Sequence, residues 1–124
     1  MFSRILSPVY RLFSTAPTSP STTNLVDSAI SENTVTVFSK SYCPYCNETK
    51  TLFSSKFPDV PVKVFEYVIL LDYLDNGSEI QSYLAQKTGQ RTVPNVFIKS
   101  RHIGGNDNIQ AAFRSGKLSS FLDA

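Results

Sequence analysis

The feature that most narrows what this chain can fold into is the segment Lys40-Ser41-Tyr42-Cys43-Pro44-Tyr45-Cys46, which holds both of its cysteines. Two thiols so close together cannot staple a scaffold, which would need more cysteines spread along the chain. The fold must therefore rest on a hydrophobic core, and the pair reads as a redox couple or as half of a metal site. A zinc centre wants about four ligands, and beyond the pair the chain offers at most His102, its one histidine. No metal is expected, and His102, beside Ile103 in a short apolar run, reads as a structural histidine.

The residues around the pair place it. Thr34 to Ser39, a β-branched run ending in Val37-Phe38-Ser39, predicts a buried strand. Pro44 suits the first position of a helix, where its missing N–H costs nothing. Helix-forming residues then run to Lys56, with Leu52 and Phe53 apolar, before Pro58 and Pro61 stop them. Cys43 thus falls at a helix N-terminus, where unpaired N–H groups and the macrodipole favour an anionic sulfur, and Lys40 adds a positive charge nearby. Cys46 faces the same side one turn deeper. Cys43 is expected to attack and Cys46 to resolve. Easier ionisation gains little for attack, because nucleophilicity falls with basicity along a slope of ~0.4–0.5; the gain comes when Cys43 is the leaving group.

The remaining elements follow from periodicity and punctuation. Asn24 can cap a short helix over Leu25 to Glu32, with Leu25, Val26, Ala29 and Ile30 at helical spacing. Val62 to Leu71 reads as a second strand. Asn76-Gly77-Ser78 reads as a turn, with Ser78 capping a helix through Ile80, Tyr83 and Leu84 to Lys87, stopped by Gly89. Val96 to Ile98 and Arg101 to Ile103 are short strands joined by a tight turn. Asp107 starts a helix with Ile109, Ala112 and Phe113 inward, and a last turn or helix spans Lys117 to Leu122. The order is α, β, α, β, α, β, β, α. A helix between the first two strands makes them parallel, and the last two form a hairpin. The fold class is α/β: a four-stranded mixed sheet flanked by helices, with a C-x-x-C motif between the first strand and the next helix, which is a thioredoxin-like arrangement.

Residues 1–23 differ from the rest. Met1 to Phe13 carries Arg4 and Arg11 and no acid, Ser14 to Thr23 is uncharged and rich in Ser, Thr and Pro, and the first acid is Asp27. That composition predicts an organellar transit peptide and linker, with the folded domain over residues 24–124. Arg11-Leu12-Phe13-Ser14 resembles a mitochondrial processing site. A mitochondrial (matrix) location is expected, with a cytoplasmic one as the alternative. Met1 is the only methionine, so an internal start cannot yield a leaderless form. Leaving out Arg4 and Arg11, the other Lys and Arg residues balance the ten acids, which speaks against a nucleic-acid footprint. No apolar stretch approaches the ~18 residues of a membrane span, so neither nucleic acid nor membrane is expected as a partner, and nothing demands more than a monomer.

Four motifs together resemble the glutaredoxin family, dithiol class. These are Cys43-Pro44-Tyr45-Cys46; Asn76-Gly77-Ser78-Glu79-Ile80-Gln81; Gly89-Gln90-Arg91-Thr92-Val93-Pro94-Asn95-Val96-Phe97-Ile98; and His102-Ile103-Gly104-Gly105-Asn106-Asp107. The match runs in order over about residues 24–124, and the absence of Trp argues against true thioredoxins. The resemblance implies a glutathione-dependent oxidoreductase that reduces protein–glutathione mixed disulfides and protein disulfides, with glutathione as co-substrate. The alternative within the same family is a carrier of a glutathione-ligated iron–sulfur cluster, which the stiffening Pro44 disfavours.

Carried over residue by residue, the resemblance implies a glutathione groove. Pro94 would be cis, presenting the Val93 backbone beside Cys43, with Thr92 next to it. Gly104 and Gly105 would admit the ligand closely, and the helix N-terminus at Asn106-Asp107 would take the γ-glutamyl carboxylate, with the Asp107 side chain facing the ammonium. Lys40 and Gln81, with Arg91, would hold the glycine carboxylate, and Tyr45 would lie against the cysteinyl part. The sequence departs from the family at Asn108, where many relatives carry a second acid. It departs also at Lys99-Ser100, which replaces the usual Asn-Gly; a looser hairpin or another turn type is expected there.

Overall fold

The computed structural model describes residues 19–67 and 76–123. The elements are α1 (Pro20–Glu32), β1 (Val35–Lys40), α2 (Pro44–Lys56), β2 (Val62–Tyr67), α3 (Asn76–Thr88), β3 (Asn95–Ile98), β4 (Arg101–Gly104), α4 (Asn106–Ser115) and α5 (Lys117–Asp123). The strands lie in the order β2-β1-β3-β4. β1 runs parallel to β2, in register Val35↔Val62 and Phe38↔Phe65, and antiparallel to β3, in register Val35↔Ile98 and Phe38↔Asn95. β3 and β4 form an antiparallel hairpin with an irregularity between Val96 and Phe97. The α/β class and the mixed sheet are those expected from the sequence.

Alternation along the strands divides the core into two layers, one on each face of the sheet. Val35 and Val37 of β1, with Val96 and Ile98 of β3, pack against Leu52 and Phe53 of α2, Ile109 and Ala112 of α4, and Leu118 of α5. On the opposite face, Phe38 and Phe97 pack against Val26, Ala29 and Ile30 of α1 and Ile80 and Leu84 of α3. Phe38 stacks on Phe65 at 5.6 Å and meets Phe97 edge-on at 5.9 Å, so three strands are joined by one aromatic cluster.

Several boundaries differ from expectation. The first helix begins at Pro20, capped by Ser19 rather than Asn24, and so takes in Pro20 to Thr23 of the segment read as linker. Pro20 fits the first turn for the reason Pro44 does. The deciding contacts come from α3: Glu79 Oε1 accepts the Ser19 N–H at 3.1 Å, the Ser19 hydroxyl at 2.9 Å and the Thr22 hydroxyl at 2.8 Å. Ser78 lies inside α3 and is not its cap. The second strand is described as far as Tyr67, and the expected continuation to Leu71 falls outside the described residues. Helix α4 starts at Asn106, one residue earlier than expected, with Gly105 as N-cap.

The hairpin is not loose. Lys99 and Ser100 both take positive φ, 49° and 70°, as a two-residue loop must to follow the twist of its strands. The turn is held by the chain entering β1, where Lys99 N–H donates to Thr34 O at 2.8 Å and extends the β1–β3 pairing. Strand twist and this tertiary bond override the preference for Asn-Gly.

Candidate active site

Three connections meet at one end of the sheet: the end of β1, the start of β3 and the end of β4. The register makes this unavoidable, since Phe38 pairs with Asn95 and Val96 with Gly104. Cys43, Val93 and Gly105 are therefore neighbours in space, although they are far apart in the chain.

Cys43 is the N-cap of α2, in extended backbone conformation, and the chain reaches it through Tyr42 at φ 61°. The Cys46 N–H donates to Cys43 Sγ at 3.2 Å, and the Cys43 thiol lies 3.9 Å from Val93 O. An N–H aimed at sulfur from a helix end is the contact an anionic sulfur uses. Cys43 is partly exposed and Cys46 is fully buried one turn below it. Burial pushes the Cys46 thiol above its ordinary range, and its hydrogen bond with Cys43 acts in the same direction. The two sulfurs are thus unequal, one partly exposed at the helix mouth and one buried behind it, where ionisation is disfavoured.

A cleft of about 540 Å³ adjoins Cys43, lined by Tyr45, Thr92, Val93 and Pro94 on one side and by Gly105, Asn106 and Asp107 on the other. The Val93–Pro94 bond is cis, as expected. Lys40, Gln81 and Arg91 line a separate, smaller hollow of about 210 Å³ together with Gly77, Ser78 and Ser82. Apart from Gly104, which lines neither hollow, the site residues read from the sequence fall at Cys43 or in one of these two depressions. Tyr45 is mostly exposed and forms a wall of the cleft.

Particular side chains behave differently from expectation. Gln81 donates through Nε2 to Arg91 O, which leaves its buried Oε1 without a partner among the described residues. Gln81 lines the smaller hollow, and its amide donor is engaged by the chain itself. The Asn106 side chain is buried and turns away from the cleft: its Oδ1 accepts from the Thr49 hydroxyl at 2.8 Å, and its Nδ2 donates to Glu48 at 2.9 Å. What Asn106 offers the cleft is backbone. No side chain caps α4, so its first N–H groups are open on that side. Gly104 sits at φ 127°, a conformation that side chains rarely adopt, so a substitution there is strained. Gly105 is different: a Cβ would make ordinary contact, 3.5 Å from Pro94 O, and would fill the cleft floor. His102 bonds Asn95 Oδ1 at 2.8 Å and packs on Phe97, the structural role expected of it.

A Glutaredoxin family model matches residues 35–103. The chain belongs to the glutaredoxin family. Among its relatives, Glutaredoxin-C8 of Oryza sativa subsp. japonica is 38% identical over 123 residues, spanning 99% of this chain and 88% of that protein. A Glutaredoxin of Solanum lycopersicum is 52% identical over 89 residues, 72% of this chain and 77% of that one. The structure of a buckwheat glutaredoxin–glutathione complex superposes with a TM-score of 0.72 at 40% identity, covering 83% of this chain and 88% of that one. These likenesses establish the thioredoxin-like fold and a glutathione-dependent disulfide oxidoreductase. The Cys43–Cys46 spacing is that of the dithiol members.

Proposed function

We propose that this member of the family reduces protein–glutathione mixed disulfides, and protein disulfides, with Cys43 as nucleophile and Cys46 as resolving thiol. The observation that carries the reading is the inequality of the two sulfurs: Cys43 sits at the mouth of α2 beside the cleft, and Cys46 is buried beneath it. In the first step the Cys43 thiolate attacks the glutathionyl sulfur. The protein thiol leaves and takes up a proton, and a Cys43–glutathione disulfide remains. A second glutathione, as thiolate, then attacks the glutathionyl sulfur; oxidised glutathione departs and the Cys43 thiolate is restored. With a protein disulfide, the Cys43 thiolate first attacks one sulfur, forming a Cys43–protein mixed disulfide and releasing the other as a thiol; Cys46 then gives up its proton and attacks Cys43 Sγ, releasing the second protein thiol and leaving a Cys43–Cys46 disulfide for two glutathiones to reduce.

In this reading the cleft holds the glutathione moiety. The Val93 N–H and C=O would pair with its backbone as an added strand does. The open N–H groups of α4 would take the γ-glutamyl carboxylate, with Asp107 toward the ammonium. Lys40 and Arg91 supply the cations for the glycine carboxylate, and Gln81 is an anchor of the Arg91 loop beside them. The test is turnover of a glutathionylated peptide by wild type, Cys43→Ser and Cys46→Ser. Activity should vanish in Cys43→Ser and persist in Cys46→Ser, which should fail only on protein disulfides that need both thiols. Turnover retained in Cys43→Ser refutes the assignment.

The proposal extends to location. Arg4, Arg11 and the acid-free Ser, Thr and Pro composition before Asp27 support delivery to the mitochondrial matrix. A fluorescent fusion of residues 1–23 should concentrate in mitochondria, and a diffuse cytosolic signal refutes it.

A further inference from the structure

Gln90 lines the cleft, yet it makes its bonds to the chain itself. Its Nε2 donates to Thr92 O at 3.0 Å and to Pro94 O at 3.0 Å, spanning Val93 and engaging both of its hydrogens. Its backbone is tied in turn to the end of α3: Gln90 N–H donates to Thr88 Oγ1 at 3.0 Å, and the Thr88 hydroxyl donates to Leu84 O at 2.7 Å. The same Nε2 lies 3.7 Å from where a Cβ on Gly105 would stand, so the amide fills the floor between the two walls. The two carbonyls that Gln90 holds flank Val93, whose own carbonyl oxygen lies 3.9 Å from the Cys43 sulfur.

We propose that Gln90 is a positioning residue for the thiol–disulfide reaction: its amide clamps the Thr92–Pro94 backbone so that Val93 is held ready to pair with the bound tripeptide beside Cys43. The inference rests on the glutathione reading of the cleft. It makes no claim that Gln90 touches the reacting sulfurs.

The experiment measures kcat and KM for a glutathionylated peptide in the full-length protein, wild type against Gln90→Met and Gln90→Glu, with thermal unfolding as a check on folding. Methionine keeps the length of the side chain and removes the donor. Two hydrogen bonds of ordinary net strength correspond to roughly a tenfold change, so Gln90→Met should raise KM about tenfold with kcat within about twofold of wild type. Gln90→Glu sets a carboxylate against two carbonyl oxygens and should raise KM further. A KM within about twofold of wild type in both variants overturns the proposal, as does a loss confined to kcat. Should Gln90→Met fail to fold, the KM of Gln90→Glu decides by the same criterion. Failure of the underlying reading looks different: wild type itself would not turn over the peptide, or Cys43→Ser would.

Discussion

At the scale of the residue, chemistry is decided by which atom each group can still offer once the chain has folded. The fold withholds Cys46 twice, by burying it and by raising its thiol above the ordinary range. In the reduced protein at neutral pH, iodoacetamide should therefore modify Cys43 and spare Cys46; peptide mass spectrometry after timed quenching reads the order, and equal labelling would contradict it. The sign with pH is fixed. A thiol raised in the fold favours the folded state below its unfolded value of ~8.5, and that contribution fades as pH climbs through the folded value. Labelling of Cys46 should rise with it. Much of this was legible in the sequence, because Cys43, Pro44 and Cys46 are local to one helix start and their relation follows from helix geometry. Gln90 and Asn106 were not. The clamp of Gln90 and the turning of Asn106 toward Thr49 and Glu48 depend on which atoms stand opposite after folding, which no spacing along the chain encodes.

At the scale of the element, the hairpin shows a local preference yielding to the sheet. Lys99 and Ser100 each hold a left-handed φ that side chains adopt at a cost, about 1–2 kcal/mol per residue at the upper end. Replacing them with Asn-Gly should stabilise the protein by about 1–2 kcal/mol, after allowing for the entropy that glycine loses on folding. Chemical denaturation checks this, and a lower midpoint would mean that the contacts of Lys99 and Ser100 outweigh the strain. Helix α1 gives the second case. Three donors converge on Glu79, first the Ser19 N–H and then the hydroxyls of Thr22 and Ser19, and hold its carboxyl below the ordinary range. A carboxyl lowered in the fold stabilises it above the unfolded value of ~4.3 and loses that effect as pH falls through the folded value. The difference in denaturation midpoint between wild type and Glu79→Ala should therefore be present at pH 7 and shrink on acidification. A difference independent of pH would assign the contact no electrostatic part. The start of α1 was missed in the sequence because Asn24 is a sound local cap, whereas Ser19 becomes one with the help of a side chain 60 positions away.

At the scale of the whole molecule, the order of elements was legible and their consequence was not. Alternating helix and strand signals gave a mixed sheet with a parallel first pair and a terminal hairpin, and the structure has both. Periodicity does not say that the ends of β1 and β4 and the start of β3 come together; that follows from the register across three strands. The site is a property of that edge, with α2 supplying the thiols, the Thr92–Pro94 loop a backbone to pair with, and α4 an open helix start. The central claim is that this edge presents one sulfur, Cys43, to glutathione while keeping the other in reserve. The most direct measurement is mass spectrometry of Cys46→Ser and Cys43→Ser after exposure of each reduced protein to a glutathionylated peptide. The account predicts a single glutathionyl group on Cys43 in Cys46→Ser and none in Cys43→Ser. A glutathionyl group on Cys46 in Cys43→Ser, with Cys43 left free in Cys46→Ser, would contradict it.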